Sequence, residues 1–352
     1  MPKLDLASIN VLLNNDSDRG QLACKSNHSA VSALPEMDAR ETIISTSSEV
    51  AILLCTYHGQ RYLAEQLASF EVQSHSNWKV WASDDGSEDD TRAILDAYSR
   101  KWPEGRLSIC SGPAEGFAAN FISLTCKDSI QADFYAYSDQ DDIWKVDKLA
   151  RAVKWLETVP VNIPALYCSR TRLVDSDNNE IGISPLFVRP PSFANALMQN
   201  IGGGNTMVFN NAARELFREA GESISVVAHD WWAYIAVTAC GGQVFYDREP
   251  TLRYRQHNGN LIGTNSNWSA RFKRIHMLFQ GEFKRWSDIN IAALEALEHK
   301  LTPENRAILQ RFSRGRKMSL IPRLIQFKRA GIYRQTLFSN IGLIVAAIFG
   351  KV

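Results

Sequence analysis

A chain of 352 residues can bury a full hydrophobic core in one large domain, or in one domain with appendages. Its 45% apolar and 22% charged residues are ordinary for a globular protein, and a net charge of +1 excludes a global pull toward nucleic acid or acidic substrates. Six scattered cysteines (Cys24, Cys55, Cys110, Cys126, Cys168, Cys240) form no CxxC pair and no zinc spacing. The start MPKLDLASIN also lacks the basic and apolar regions of a secretory signal, so the cytoplasm with reduced thiols is expected.

Residues 1–48 are rich in Ser, Asn and Asp without sustained periodicity and read as a disordered extension, with Ile9–Leu13 as a candidate helix or docking segment. Order begins at Val50. Val50–Cys55 is a continuous apolar run, the pattern of a strand buried on both faces, and Tyr62–Phe70 has helical spacing. A second strand is expected over Trp78–Ala82. Ser87-x-x-Asp90 then has the form of a capping box ahead of a helix over Thr91–Tyr98. Strand Leu107–Cys110, helix Phe117–Cys126, strand Phe134–Ser138 and a helix near Val146–Leu156 continue the alternation. Strands alternating with helices predict a parallel α/β sheet, whose ligands bind beyond the carboxyl ends of the strands.

After Ala165 the pattern is mixed. A hairpin is expected around Asp175–Asn179, a glycine loop at Gly202–Gly204, a strand over Thr206–Phe209, and helices over Asn211–Ala220 and Trp231–Cys240, followed by short strands to about Tyr254. Beyond Asn305 the chain holds ten Lys or Arg and no Asp or Glu, and it runs into the apolar stretch Ile341–Phe349. That stretch is shorter than the roughly 20 apolar residues a span needs. A basic, partly amphipathic tail with an apolar end predicts contact with an anionic membrane surface, against the alternative of a solvated helix packed on the domain.

Four motifs carry chemistry. In Ser138-Asp139-Gln140-Asp141-Asp142-Ile143-Trp144, three carboxylates follow a buried strand, where they repel one another unless a cation lies between them. Hard oxygen ligands suit Mg²⁺ or Mn²⁺ shared with a diphosphate. Asp84-Asp85-Gly86-Ser87 follows the second strand, where a carboxylate can accept the imide N–H of uracil or thymine, although Asp-Gly-Ser is also ordinary turn chemistry. Tyr57, after Thr56, offers a face for base stacking. His229-Asp230-Trp231-Trp232 sets a carboxylate beside two aromatic rings, which can raise its pKa and stack on a sugar; the alternative is a helix N-cap. In Arg253-Tyr254-Arg255-Gln256-His257, guanidinium donors such as Arg255 and an imidazole can reach a diphosphate or a metal.

Taken together, VAILLCTYHGQRYLAEQL, WASDDGS, YSDQDDIW, GGGNTMVF, HDWW and RYRQHNGNLIG resemble the bacterial family 2 inverting glycosyltransferases. The SDQDDIW, HDWW and YRQHNGN runs, in this order, are similar to the rhamnosyltransferase-like branch that builds surface polysaccharides, and the likeness spans Val50–Thr264. The resemblance implies an α/β GT-A (Rossmann-like) fold with a mostly parallel sheet flanked by helices, over residues 49–270, and a basic helical region over 271–352. It implies metal ligation by Asp139 and Asp141, with His257 as a further metal or diphosphate contact. It also implies nucleotide-sugar contacts from Thr56, Tyr57, Asp85, Gly116, Asn120 and Asp139, and Asp230 as the catalytic base. His58 departs from the family pattern, in which Asn commonly follows the Tyr. Processive synthases of the family carry QxxRW and several spans; here four residues separate Gln280 from Arg285-Trp286, which favours single addition.

The implied donor is dTDP-L-rhamnose or another dTDP- or UDP-sugar. The implied acceptor is a lipid-linked glycan, met by a peripheral enzyme at the inner face of the cell membrane. Two other classes remain: a sugar-phosphate nucleotidyltransferase, which should carry a basic Gly-rich loop where Cys55-Thr56-Tyr57-His58-Gly59 stands, and a non-catalytic, membrane-tethered binding protein, which would lack the base or metal residues. No GxGxxG follows the first strand, which argues against a dehydrogenase.

Overall fold

The structure, a computed structural model, describes residues 47–256 and 281–352. The expectations for residues 1–46 and for His257 lie outside the described residues. Strand β1 (Val50–Thr56) is buried along its whole length, with Val50, Ile52 and Leu54 facing one apolar core and Ala51, Leu53 and Cys55 the other. Burial on both faces is why its sequence is a run rather than an alternation. Parallel partners flank it, β2 (Trp78–Asp84) on one side and β4 (Phe134–Ser138) on the other, and β3 (Leu107–Ser111) extends the sheet beyond β2. The crossovers are α1 (Leu63–Glu71), α2 (Thr91–Lys101) and α3 (Phe117–Cys126).

The sheet changes character past β4. In spatial order it runs β3, β2, β1, β4, β8 (Val208–Asn210), β6 (Ala165–Val174), β9 (Gln243–Arg255) and β5 (Ile143–Trp144), with β7 (Glu180–Ile183) paired to β6. Strand β8 is antiparallel to both β4 and β6, while β6 and β9 are parallel. Two sequence expectations need correction. The short strands expected near the end are one 13-residue strand, β9. Its pairing with β6 slips between Ser169↔Asp247 and Arg170↔Pro250, an irregularity that accommodates a proline without ending the strand. The capping box at Ser87 does not form: its hydroxyl turns back to Asp84, and Asp89 accepts the Thr91 N–H instead.

Helices α4 (Lys148–Leu156), α5 (Phe193–Ala196), α6 (Asn211–Ala220) and α7 (His229–Ala239) complete the layers. Every residue of α7 is buried, as expected of a helix apolar on all sides. Four further helices follow, α8 (Glu282–Glu295), α9 (Pro303–Arg316), α10 (Leu320–Ala330) and α11 (Leu337–Ile348). Trp286, Phe312, Phe327 and Ala347 from these helices sit in the same core as Trp231 and Trp232, so the C-terminal helices are built onto the sheet domain. Among the described residues no helix is long and apolar enough to cross a membrane.

Candidate active site

The parallel pairing brings strand ends together: Thr56 lies opposite Asp84, and Leu54 opposite Ser138. The loops that leave β1, β2, β3 and β4 therefore share one edge of the sheet. Antiparallel pairing delivers the start of β8 to the same edge, where the Tyr137 N–H donates to Met207 O at 3.1 Å. This is where an open α/β sheet binds ligands.

The first two loops are tied by short polar bonds. Asp84 accepts the Thr56 hydroxyl at 2.8 Å, together with the Ser87 N–H and hydroxyl, so its carboxylate closes the turn. Asp85, the base-recognition candidate, accepts the Ala114 N–H at 2.8 Å on Oδ1 and the Gly116 N–H at 3.0 Å on Oδ2. It therefore braces the loop that precedes α3, where Gly116 has a φ of 97°. Asn120 exchanges bonds with Ser83 and is buried, fixing α3 to β2 instead of facing a ligand directly. Tyr57 is exposed and packs edge-on to His58 at 4.2 Å, leaving a ring face for stacking.

Within 139–142 the residues divide by role. Gln140 turns back to the first loop: its Oε1 accepts the Tyr57 N–H at 2.8 Å, and its Nε2 donates to Tyr57 O at 2.9 Å. Asp142 is wholly buried and structural, accepting from the Asn205 amide and the Arg255 N–H. Asp139 and Asp141 are the other two carboxylates of the run. Desolvation, then the charges of Asp141 and Asp230, push the Asp139 carboxyl up to about 8, and no donor among the described residues offsets this. A half-buried carboxylate repelled by two others suits a cation. Among the described residues no group of three His, Cys, Asp or Glu is arranged around a metal. Mg²⁺ is commonly held by one or two carboxylates together with substrate phosphates, and Asp139 and Asp141 are the carboxylates of this loop chemically able to take that part.

Asp230 lies in the first turn of α7 but does not cap it; that position is Ala228. Its Oδ1 accepts the Trp231 N–H at 2.7 Å and its Oδ2 the Gly204 N–H at 3.1 Å. Burial raises its carboxyl to about 6 in spite of these bonds, which places its titration where a general base operates. The ring of His229 stacks on Phe121 at 3.9 Å, and burial lowers its pKa to about 3, so it stays neutral. A Cβ on Gly204 would lie 2.4 Å from His229 Nε2, so this turn needs glycine. The reading of Trp231 and Trp232 as a sugar platform is corrected: both are buried, with the Trp231 indole N–H donating to Ala196 O. Both side chains belong to the apolar core in which this helix is buried.

Arg255 departs from its expected role as an open diphosphate ligand. It is buried, and its guanidinium bonds Asp141 O at 3.1 Å, Ser176 O at 3.0 Å and Glu65 Oε2 at 2.6 Å. It holds the backbone of the acidic loop in place. Sequence reasoning assigned no role to Gln140, Asn205 or Tyr254. The Gly-Gly-Gly-Asn run was the only signal for Asn205. Burial, then the charges of Asp142, Asp139, Asp141 and Asp230, push the Tyr254 phenol well up.

An α/β sheet that gathers aspartates, one of them with its carboxyl raised to about 6, at its carboxyl edge has the arrangement of a ligand-binding α/β protein. Residues 51–219 match the model of Glycosyl transferase family 2 and form a domain of that family. The chain is 28% identical over 64% of its length, and 78% of the relative's, to the dTDP-rhamnosyl transferase RfbG of Shigella flexneri. It is 26% identical over 44% of its length, and 57% of the relative's, to the Escherichia coli UDP-Glc:alpha-D-GlcNAc-diphosphoundecaprenol beta-1,3-glucosyltransferase WfgD. The S. aureus TarS 1–349 structure in complex with UDP-GlcNAc aligns over 81% of this chain and 93% of that one, with 13% identity and a TM-score of 0.48.

Proposed function

We propose that this glycosyltransferase is an inverting enzyme that moves L-rhamnose from dTDP-L-rhamnose, or the sugar of another dTDP- or UDP-sugar, to a hydroxyl of a lipid-linked glycan. The observation that carries the reading is Asp230, a carboxylate at the sheet's carboxyl edge with its titration raised to about 6 and its charge felt at Asp139. In the reaction Asp230 takes the proton of the acceptor hydroxyl. The freed oxygen forms the new bond at the anomeric carbon as the bond to the nucleoside diphosphate breaks on the opposite side, so one displacement inverts the centre. Thr56 and Tyr57 line the nucleotide's approach, and Asp85 acts through the loop it braces. Asp139 and Asp141 would hold Mg²⁺ or Mn²⁺, which when bound offsets the charge of the departing diphosphate. The relatives named for a dTDP-rhamnosyl transferase and a diphosphoundecaprenol-linked acceptor support the donor and acceptor classes. A lipid-linked acceptor and a basic C-terminal region support peripheral work at the inner face of the cell membrane.

The test is nucleotide release across a panel of dTDP-, UDP- and GDP-sugars with a lipid-linked acceptor, in Mg²⁺, Mn²⁺ or EDTA. Acceptor-dependent release of dTDP or UDP, with an inverted product linkage by NMR, is expected. Consumption of nucleoside triphosphate would instead mark a nucleotidyltransferase, and no release with any donor would mark a binding protein.

A further inference from the structure

The exposed apolar side chains of α10 and α11 do not end at those helices. Ile321 is 70% exposed, Leu337 73% and Phe338 65%. A second exposed pair, Leu186 at 43% and Val188 at 64%, lies on the loop after β7, about 150 residues earlier in the chain. Polar bonds fasten this loop to the segment that opens α11. The Arg189 N–H donates to Gln335 Oε1 at 3.2 Å, Gln335 Nε2 donates to Arg189 O at 3.1 Å, and the Arg189 guanidinium lies 4.0 Å from the centre of the Tyr333 ring. Tyr333 also donates to Pro190 O at 2.6 Å. Val188 and Leu337 therefore flank one clasp, by one and two residues. Neither segment carries a negative charge: residues 181–192 and 305–352 contain no Asp or Glu, while Arg189, Lys328 and Arg329 are exposed.

Exposed apolar side chains on segments that carry Lys and Arg but no Asp or Glu complement an anionic bilayer, whose headgroups attract the charge and whose acyl boundary takes the apolar groups. We propose that the 184–190 loop and helix α11 form one two-segment surface that seats on an anionic lipid bilayer. This rests on the membrane-surface reading above and adds a docking element within the sheet domain itself. The hairpin that leads to this loop also supplies Ser176 O to Arg255, which holds Asp141 O, so the docked loop belongs to the body that carries the acidic site. Seating both segments would fix the orientation of that site over the membrane.

The experiment is co-sedimentation of the full chain with phosphatidylglycerol–phosphatidylethanolamine vesicles, with phosphatidylcholine vesicles as the uncharged control. Three proteins are compared: wild type, L186E/V188E on the loop, and F338E/I341E on α11. Melting temperature and donor hydrolysis in solution check each fold, and light scattering gives each mass. Each double variant should lose about tenfold or more in binding to the anionic vesicles, with melting and donor hydrolysis unchanged. Loss in the α11 variant alone would overturn the two-segment surface and leave membrane contact to the tail. Failure of wild type to sediment would overturn the membrane reading itself. A wild-type dimer that L186E/V188E turns into a monomer would assign the loop to a second copy of the chain and overturn the proposal.

Discussion

Asp230 is held by two backbone N–H groups yet titrates high, because burial outweighs the bonds. A carboxyl raised in the folded state favours folding at low pH, and that contribution is lost as pH rises through its folded value. The base form appears over the same interval, so transfer is expected to rise through a pH of about 6 and level off above it. Asp230→Asn should lower transfer by about 10² to 10⁴-fold, the usual contribution of a positioned base, with donor affinity little changed. The pH–rate profile and donor calorimetry check this; wild-type turnover in the Asn variant would remove Asp230 from the chemistry. Asp85 invites a different expectation. Because both its oxygens already serve the loop before α3, Asp85→Ala should cost about 1–3 kcal/mol of stability as well as nucleotide affinity. Lost nucleotide affinity with an unchanged melting curve would instead mark a direct base contact.

At the scale of elements, the coupling of loops decides the site. Gln140 clasps both polar groups of the Tyr57 backbone, and a Cβ on Gly59 would lie 2.3 Å from Gln140 Oε1. Gln140→Ala should raise the donor KM several-fold, by the loss of about 1–2 kcal/mol of loop order. Gly59→Ala should do the same by displacing that side chain, and the double variant should be no worse than Gln140→Ala alone, as steady-state kinetics would reveal. Additive losses would show that the clasp is not what Gly59 protects. The first half of the sheet was legible because β1 and β4 are uninterrupted apolar runs and α3 has clear helical spacing, and both kinds of pattern follow from burial. The acidic loop was legible because clustered charge after a buried strand is rare. The division of labour within it was not, since Asp142 and Asp141 differ only in what the distant Asn205 and Arg255 bring to them. Trp231 and Trp232 misled for a related reason: periodicity does not say which side of a buried helix meets the ligand. The single strand β9 was hidden by Pro250, whose slip in pairing leaves no local signature.

For the whole molecule, the C-terminal helices both complete the core and carry charge, and these two duties separate by residue. Arg316 is tied to Lys284 O and Asp288, and Arg323 to Ala347 O and Met318 O, while Arg334 is buried; these three cations of the tail are structural. Arg311, Arg314, Lys317, Lys328 and Arg329 remain exposed. Deleting residues 306–352 would therefore also strip Phe312 and Phe327 from the core, and removing even one such ring costs about 3–5 kcal/mol. A truncated chain would confuse unfolding with release from lipid. The triple charge reversal K317E/K328E/R329E avoids this, because exposed side chains away from packed contacts usually change stability by less than about 0.5 kcal/mol. Its melting temperature should match wild type while its affinity for anionic vesicles falls, each cation near the surface contributing about 1 kcal/mol at low salt. Wild-type binding should weaken from low to high ionic strength as the attraction is screened, and the triple variant should show a shallower dependence. Equal sedimentation of wild type and variant at every salt concentration would show that charge on these helices does not hold the protein to lipid.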